Sequence, residues 1–335
     1  MAIGGLGAAG YFLRDDFLAL FEDDPPRTVS PQPGPTASLS PSEAPSPKTS
    51  PRGRLLIHGT GDVNVDPSYI PNLAANGYGY AWSGLNGLFR SDDLTVVNLE
   101  NPVSDLGTPL DKEFTFQGDP AALDDMRRAG VEVANQGNNH AYDYGPEALV
   151  DSLERLREAG IEPVGAGRDQ RQSLRPGRFV LDGWKVAVLG FGMVIDPAEQ
   201  VAGPGKPGTA GGHDTDLMLR AIRQADRRAD LVIVTIHWGV ELDTQPRPEQ
   251  IALGHAFIDE GADVIFGHHA HRLQPLDHYR GRPIFWGLGN FVWPNFSVEG
   301  STTAVARVVV TPQGRTRGRL LPAFIEAAGH PVLSG

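Results

Sequence analysis

Short apolar runs recur along the chain from residue 54 onward, and helical patterns lie between several of them. Each run has the length of a single buried strand, and several end in a Gly-rich or polar turn. Chains in which strands and helices alternate fold as layered α/β proteins, so this spacing predicts that fold class. The predicted strands are residues 55–58, 94–99, 131–135, 185–190, 231–236, 263–266 and 283–286.

Four helices are predicted between these strands. Asp119-Pro120 has the pattern of an N-cap followed by proline at the first helical position, and this helix should end at Gly130. The Asp182-Gly183 pair between two apolar runs predicts a hairpin, which makes the sheet mixed. The remaining helices are predicted between Gly145-Pro146 and Gly160, at 215–228 and at 249–259, and closing strands at 303–311 and 318–321.

Two segments precede the predicted domain, which we place at residues 54–335. Residues 1–22 begin with an apolar stretch that is shorter than the roughly 20 residues needed to span a bilayer, and no basic residue precedes it. This segment is either a plain tail or the remnant of a membrane anchor that starts upstream of Met1. Residues 23–53 contain nine prolines between Asp23 and Arg52 and predict a disordered, extended Pro/Ser-rich linker.

The linker also bears on localisation. Stalks of this composition commonly separate a membrane anchor from an extracellular domain, although cytosolic linkers can look the same. We therefore expect an extracytoplasmic domain that is anchored to the membrane at its N-terminus.

Charge and cysteine content exclude several kinds of site. The formal net charge is −12 and the basic residues are scattered, so nucleic acid is not an expected partner. A polyanionic substrate would be repelled unless bound cations changed the local sign of the potential. The chain has no cysteine, which excludes disulfides, thiolate metal sites and a cysteine nucleophile.

Polar motifs follow five of the predicted strands, and binding sites in α/β sheets form outside the carboxyl ends of strands. Asp62 and Asn64 follow the first strand, where Asp62 is either a turn-stabilising residue or a metal ligand. Glu100 leaves the second strand directly before Asn101-Pro102. Unless it is exposed, Glu100 needs a partner, because an unpaired buried carboxylate is costly.

Two further motifs combine amide, imidazole and carboxylate groups. Asn138-Asn139-His140, with Asp143 close behind, supplies more polar groups than turn chemistry alone explains. His237-Trp238-Gly239 follows the strand at 231–236, with Glu241 two residues further on. A lone histidine there would more often be a core residue, but the adjoining Trp and Glu favour a functional site.

The segment Gly267-His268-His269-Ala270-His271 contains three histidines in four residues and is the strongest of these signals. Alternate residues of an extended segment point to the same side, so His269 and His271 can reach one centre. Neutral imidazole is the commonest metal ligand, and a solvated histidine cluster is the alternative.

The candidate ligands are imidazoles, carboxylates and an amide carbonyl, without sulfur. This mixture suits Zn²⁺, Mn²⁺, Fe²⁺ or Mg²⁺. The candidates are too many for one tetrahedral ion. Two divalent metal ions roughly 3.5–4 Å apart, sharing a carboxylate and a water, would account for the number.

The order of the motifs resembles that of the CapA family, which is named for poly-γ-glutamate capsule biosynthesis and is similar to the calcineurin-like metallophosphoesterases. The resemblance covers roughly residues 54–310. It implies a four-layer α/β/β/α sandwich of two mixed sheets with the metals at their edge. The motifs that carry it are Asp62, Asn98-Leu99-Glu100, Asn138-Asn139-His140, His237-Trp238-Gly239 with Glu241, His268-His269-Ala270-His271 and Gly289-Asn290-Phe291.

The resemblance also implies a role for each matching residue. Asp62 and His271 belong to the first metal, Asn139 and His237 belong to the second, and Glu100 bridges them. One further histidine, either His268 or His269, completes the second site. The metal candidates are therefore Asp62, Asn64, Glu100, Asn139, His237, His268, His269 and His271.

Asn64 stands where many relatives of the wider superfamily have a ligating histidine, so the first site is expected to be the weaker one. His140 is expected to be the acid or the orienting group beside the substrate. The catalytic candidates are His140, Asp143 and Glu241, and Trp238 and Asn290 are expected in the substrate pocket.

These assignments predict a phosphoesterase-like hydrolase in which two cations activate water for attack on a phosphoryl or acyl centre. The resemblance implies work on an anionic cell-surface polymer such as poly-γ-glutamate, in its biosynthesis, export or release. Two alternatives stay open. One is a non-catalytic polymer-binding subunit of a membrane export complex, and the other is a metallo-amidase that cuts γ-glutamyl links.

Overall fold

The computed structural model of the 335-residue chain describes residues 27–28, 51–195, 200–212 and 214–334. The anchor predicted within residues 1–22 and most of the linker predicted at 23–53 lie outside these ranges. Within the described part of the chain, no helix is both long enough and apolar enough to cross a membrane.

The described residues contain seventeen strands and eight α-helices. The strands are β1 (Arg27–Thr28), β2 (Leu55–Val63), β3 (Leu94–Leu99), β4 (Val133–Asn135), β5 (Glu162–Val164), β6 (Ala166–Gly167), β7 (Gly177–Leu181), β8 (Trp184–Gly192), β9 (Gly208–Thr209), β10 (Leu231–His237), β11 (Val264–His268), β12 (Leu276–Tyr279), β13 (Arg282–Phe285), β14 (Asn290–Val292), β15 (Thr302–Val310), β16 (Thr316–Ala327) and β17 (His330–Leu333). The helices are α1 (Pro71–Asn76), α2 (Tyr80–Ser83), α3 (Ala122–Ala129), α4 (Gly145–Glu158), α5 (Gln170–Ser173), α6 (Thr215–Asp226), α7 (Pro248–Asp259) and α8 (Val298–Ser301), with a 3₁₀ turn at Leu88–Ser91.

Each predicted strand and helix is present, with ends shifted by a few residues. The first predicted helix shows why. Asp119 accepts a hydrogen bond from the Ala121 amide, as a capping residue would, but one turn intervenes and α3 begins only at Ala122. The predicted hairpin joins β7 to β8, and Asp182 and Gly183 both have positive φ (42° and 82°).

Both large sheets are mixed. The first has the order β1-β7-β8-β10-β11-β13-β12, in which β8, β10, β11 and β13 are parallel. The second has the order β17-β16-β15-β2-β3-β4-β5, in which β2 to β5 are parallel, and β14 pairs with β2. Parallel neighbours bring their carboxyl ends to one edge of a sheet, so the polar motifs that follow them are gathered there.

Three apolar cores separate four layers. Between the sheets, Ile57 and Val96 of one sheet pack with Ile233 and Phe266 of the other. A second core lies between the first sheet and helices α6 and α7, and a third lies between the second sheet and helices α1 to α3. The predicted four-layer α/β/β/α sandwich is therefore confirmed.

Gly61 is the residue before Asp62 on β2. Its backbone lies against Gly289, in the turn that precedes β14. The Asp62 amide donates to the Gly289 carbonyl at 2.9 Å. A Cβ atom at residue 61 would lie 2.0 Å from that same oxygen, so this close approach requires glycine. Asp62 is thereby held against the neighbouring strand.

Replacing Gly61 with alanine should lower the free energy of unfolding by about 1–3 kcal/mol, because the two backbones must move apart. Urea denaturation measures this change. The matched control is Gly203→Ala, whose new Cβ would meet Lys206 at 3.7 Å, an ordinary contact. The control should stay within about 0.5 kcal/mol of the parent. Equal effects of the two substitutions would contradict the proposed constraint at Gly61.

Candidate metal centre

The carboxyl ends of the two sheets meet at one buried cluster of side chains. The strand register pairs Asp62 with Asn98 and Asn98 with Asn135 across β2, β3 and β4. In the other sheet His237 pairs with His268. The Asn98 amide nitrogen lies 2.9 Å from Asp62 Oδ1 and 3.2 Å from His237 Nδ1, so it joins the two sheets.

Two groups of side chains at this edge have the arrangement of metal ligands. One consists of Glu100, His237 and His269, and the other of Asp62, Glu100 and His271. Within each group the candidate ligand atoms all lie within 4.8 Å of one another. Glu100 belongs to both groups, so its carboxylate lies between two potential cation positions.

Individual distances show how closely these atoms converge. His237 Nε2 lies 3.1 Å from Glu100 Oε1 and 3.0 Å from His269 Nδ1. On the other side, His271 Nδ1 lies 3.2 Å from Asp62 Oδ2. Several potential ligand atoms therefore lie in one small volume, as the binding of a cation requires.

Unsatisfied oxygen atoms test whether the donor set fits a metal. Both carboxylate oxygens of Glu100 and the side-chain oxygen of Asn139 are buried without a hydrogen-bond partner among the described residues. Burying such groups without a partner costs free energy, most of all for a carboxylate. Divalent cations beside these side chains would satisfy their oxygens, so the buried donor set is consistent with metal binding.

The pKa shifts of the cluster are also consistent with metal binding. Burial raises the pKa of Glu100 well above its ordinary value, and the charge of Asp62 raises it further. Burial lowers the pKa of His269 to about 4. Burial would also lower the pKa of His271, but the Glu100 and Asp62 carboxylates outweigh it and raise that pKa to about 9. Without a cation, the carboxylates thus favour a proton on His271, and metal binding would displace it.

The backbone conformation of the histidine cluster differs from the one predicted. The sequence suggested an extended segment with His269 and His271 on one face. Instead β11 ends at His268, and both His269 and His271 have left-handed backbone, with φ of 88° and 50°. Such conformations are costly for residues other than glycine and tend to cluster at functional sites. Asn290 Oδ1, 2.7 Å from His271 Nδ1, helps to hold the second ring.

His268 and His269 have different surroundings. His269 contacts His237 and belongs to the Glu100 group, whereas His268 Nε2 lies 2.9 Å from Thr235 Oγ1. The other ring nitrogen of His268 is 3.6 Å from Asp62 Oδ1. Of the two, His269 belongs to a ligand group, whereas Nδ1 of His268 is buried without a hydrogen-bond partner among the described residues.

His140 lies at the border of the cluster with its own polar partners. Its Nδ1 is 2.7 Å from Asp143 Oδ2, and the Phe116 amide donates to the same carboxylate oxygen at 2.9 Å. Lys112 Nζ pairs with Asp143 Oδ1 at 2.5 Å and donates to the Asn139 carbonyl at 2.7 Å. Burial lowers the pKa of His140, although Asp143 opposes this effect.

Asn64, Trp238 and Glu241 also lie outside both ligand groups. Asn64 Oδ1 accepts a hydrogen bond from the Asp66 amide at 2.8 Å. Trp238 is buried in the core between the first sheet and its helices, where its indole donates to the Trp286 carbonyl. Glu241 is exposed in the loop after β10. Their predicted roles as ligand, pocket residue and catalytic residue stay predictions.

Sequence reasoning missed an aromatic wall beside the centre. The rings of Phe116 and His140 are 4.6 Å apart, and those of Trp293 and His271 are 4.8 Å apart. Tyr69 packs on both Phe116 and Trp293, and the ring of Phe296, which is 80% exposed, lies 6.3 Å from that of Tyr69. No periodic pattern in the sequence marks these four residues, because they come from three separate loops.

A two-sheet α/β/β/α sandwich with a His/Asp/Glu/Asn cluster at its edge is a metallophosphoesterase-like fold. A solved structure from Staphylococcus aureus, described as a candidate 5′-nucleotidase in complex with alpha-ketoglutarate, has this fold. Its TM-score is 0.52 at 17% identity, over 81% of this chain and 54% of that one. At this identity the likeness shows the fold alone.

Two curated relatives are more similar in sequence. The PGA biosynthesis protein CapA of Bacillus subtilis is 33% identical over 254 residues, and the capsule biosynthesis protein CapA of Bacillus anthracis is 30% identical over 290 residues. Residues 57–295 match the family described as bacterial capsule synthesis protein PGA_cap. The chain belongs to that family. The aligned regions cover 73% and 84% of this chain, and 65% and 70% of the two relatives.

The Glu100→Gln variant should change stability in opposite directions with and without metal. In chelator it should raise the melting temperature, because it removes a buried, unpaired carboxylate. With Mn²⁺ in excess it should lower the melting temperature, because the parent gains about 2.7 kcal/mol at 100 times the dissociation constant and the variant binds more weakly.

Differential scanning calorimetry with and without Mn²⁺ measures both changes in melting temperature. His271→Ala should likewise lose the Mn²⁺-dependent shift, whereas His278→Ala, a change at an exposed histidine on β12, should keep it. A shift that survives in Glu100→Gln and His271→Ala would contradict the assignment of the centre.

Proposed function

We propose that this protein is a metal-dependent hydrolase of the bacterial cell envelope that acts on an anionic surface polymer such as poly-γ-glutamate. The observation that carries the proposal is the sharing of Glu100 between two ligand groups. Two divalent cations bridged by one carboxylate form a common arrangement in enzymes that hydrolyse phosphoesters and amides. The metals would be held by Asp62, Glu100, Asn139, His237, His269 and His271.

The substrate class is inferred from the family and from charge. The two curated relatives are named for PGA or capsule biosynthesis, which supports a polymer-related role in the envelope. A chain of net charge −12 would repel a polyanion. A cationic centre in the cleft reverses that sign locally, which lets an anionic substrate approach.

When bound, the cations would supply Lewis acidity and would lower the pKa of a nearby water. The chain's own residues position the reaction. Asn98 contacts both Asp62 and His237, and Asn290 contacts His271, so two amides fix the orientation of three candidate ligands. The aromatic wall places apolar rings beside the centre and would keep bulk water from that side, which strengthens electrostatic interactions within the site.

His140 is the residue that we assign to proton transfer. Because its Nδ1 faces Asp143, Nε2 is the atom left to exchange a proton with the leaving group. Lys112 Nζ pairs with Asp143 Oδ1, which offsets the cost of burying that carboxylate. Lys112, Asp143 and His140 thus form a chain of polar contacts that fixes the orientation of the His140 ring beside the candidate ligands.

Replacing His140 with alanine should lower kcat by about 10²- to 10⁴-fold, because a positioned proton donor is lost. Metal content should stay unchanged, since His140 belongs to neither ligand group. Turnover of a phosphodiester and of a γ-glutamyl peptide with Mn²⁺ measures this effect and identifies the bond that is cut. His278→Ala serves as the matched control and should retain full activity.

The outcome that contradicts hydrolysis is specific. If the parent protein binds metal and poly-γ-glutamate but turns over neither substrate, the protein is a polymer-binding subunit rather than an enzyme. If only the γ-glutamyl peptide is cut, the reaction is that of a metallo-amidase.

A further inference from the structure

Four arginines lie together on the outer face of the second sheet, away from the metal centre. Arg307 on β15 is directly opposite Arg319 on β16 in the antiparallel register, and Arg317 lies two residues before Arg319 on the same face. Arg54 precedes β2, the other neighbour of β15. Arg54, Arg317 and Arg319 are exposed, and Arg307 is partly buried. We call this set the arginine face.

Among the salt bridges of the described residues, none involves any of the four arginines. The two acids directly before β3 have other partners: Asp93 accepts a hydrogen bond from the Leu56 amide, and Asp92 contacts Nδ1 of His58. Burial lowers the pKa of Arg307, and the charges of Arg319 and Arg54 lower it further, so the guanidinium groups repel one another.

Two buried polar atoms add to the cost of this arrangement. Arg307 Nε has no hydrogen-bond partner among the described residues, and neither does Nε2 of His58, which is opposite Arg307 on β2. Like charges directly opposite each other on neighbouring strands are destabilising, and so are unpaired buried donors. In a protein of net charge −12, clustering unpaired arginines is costly unless an anion neutralises them.

The geometry favours a repeating anion over a single one. Neighbouring strands are about 4.8 Å apart, and alternate residues on one strand are about 6.7 Å apart, so the guanidinium groups form a two-dimensional array. Guanidinium groups bind carboxylates through paired hydrogen bonds. Such an array suits a flexible chain with one carboxylate on every repeat unit.

The arginine face and the metal centre lie towards opposite ends of β2. From Leu55 at the start of β2 to Asp62 the strand runs seven residues, which is about 23 Å. A small molecule cannot contact both places, but a polymer of many repeats can.

We propose that the arginine face is a second binding site, which holds a polycarboxylate chain while another part of the same chain reaches the metal centre. The identity of the ligand as the substrate polymer rests on the proposed function; anion binding at the arginine face does not. Binding to the arginine face would then increase the local concentration of polymer near the centre.

The test compares two double variants of the full chain in chelator, so that no turnover interferes. Arg54→Gln with Arg319→Gln removes two charges from the arginine face. Arg220→Gln with Arg227→Gln removes two exposed charges at α6 and just after it and is the matched control. Fluorescence anisotropy with labelled poly-γ-glutamate measures affinity, and anionic vesicles of phosphatidylglycerol provide the comparison.

The expected result is an affinity for poly-γ-glutamate about tenfold weaker in the first variant and within about twofold of the parent in the control. Binding should also weaken with added salt. Turnover of a short substrate should be the same in both variants, which separates this proposal from the proposed hydrolysis. Equal polymer affinity in the two variants would overturn the proposal, and a loss confined to vesicle binding would overturn it in favour of a membrane contact.

Discussion

The buried carboxylate of Glu100 is the interaction on which the functional edge of this protein depends. Both of its oxygens are buried without a hydrogen-bond partner, and a histidine from each of two ligand groups lies close by. An isolated carboxylate in such a place would either be protonated or unfold the site. In the proposed function a pair of cations would resolve the conflict, with the surrounding imidazoles and amides as their ligands and supports. The sandwich supplies what this arrangement needs, because the parallel strands of both sheets end at the same edge.

Much of this could be predicted from the sequence, for identifiable reasons. Strands β2, β3, β10 and β11 each begin with a largely apolar run, which is how strands buried on both faces are recognised. Asp62, Glu100, His237 and the histidine cluster each follow such a run, so the rule that sites form at the carboxyl ends of strands places them together. The Asp182-Gly183 turn indicated that the sheet is mixed. The order of the motifs then led to the family, with which the comparisons agree.

Other features could not be predicted, because they depend on contacts between distant parts of the chain. Trp238 adjoins a candidate ligand, yet the alternation of side chains along the strand turns it into the core beside Trp286 and Phe257. Lys112 and the aromatic wall come from loops without periodicity, and only the fold brings them to His140. Likewise, His268 and His269 are equivalent in the sequence, and the left-handed backbone at His269 distinguishes them. The arginine face arises from the register of three strands, so the positions of the basic residues along the sequence do not predict it.

A crystal structure of the protein grown with Mn²⁺ and measured at the manganese absorption edge tests the central claim most directly. The account predicts two anomalous peaks about 3.5–4 Å apart. One should lie beside Asp62 and His271, the other beside His237 and His269, with the Glu100 carboxylate between them. A map without peaks at this edge of the sandwich, or with a single peak that does not contact Glu100, would contradict it.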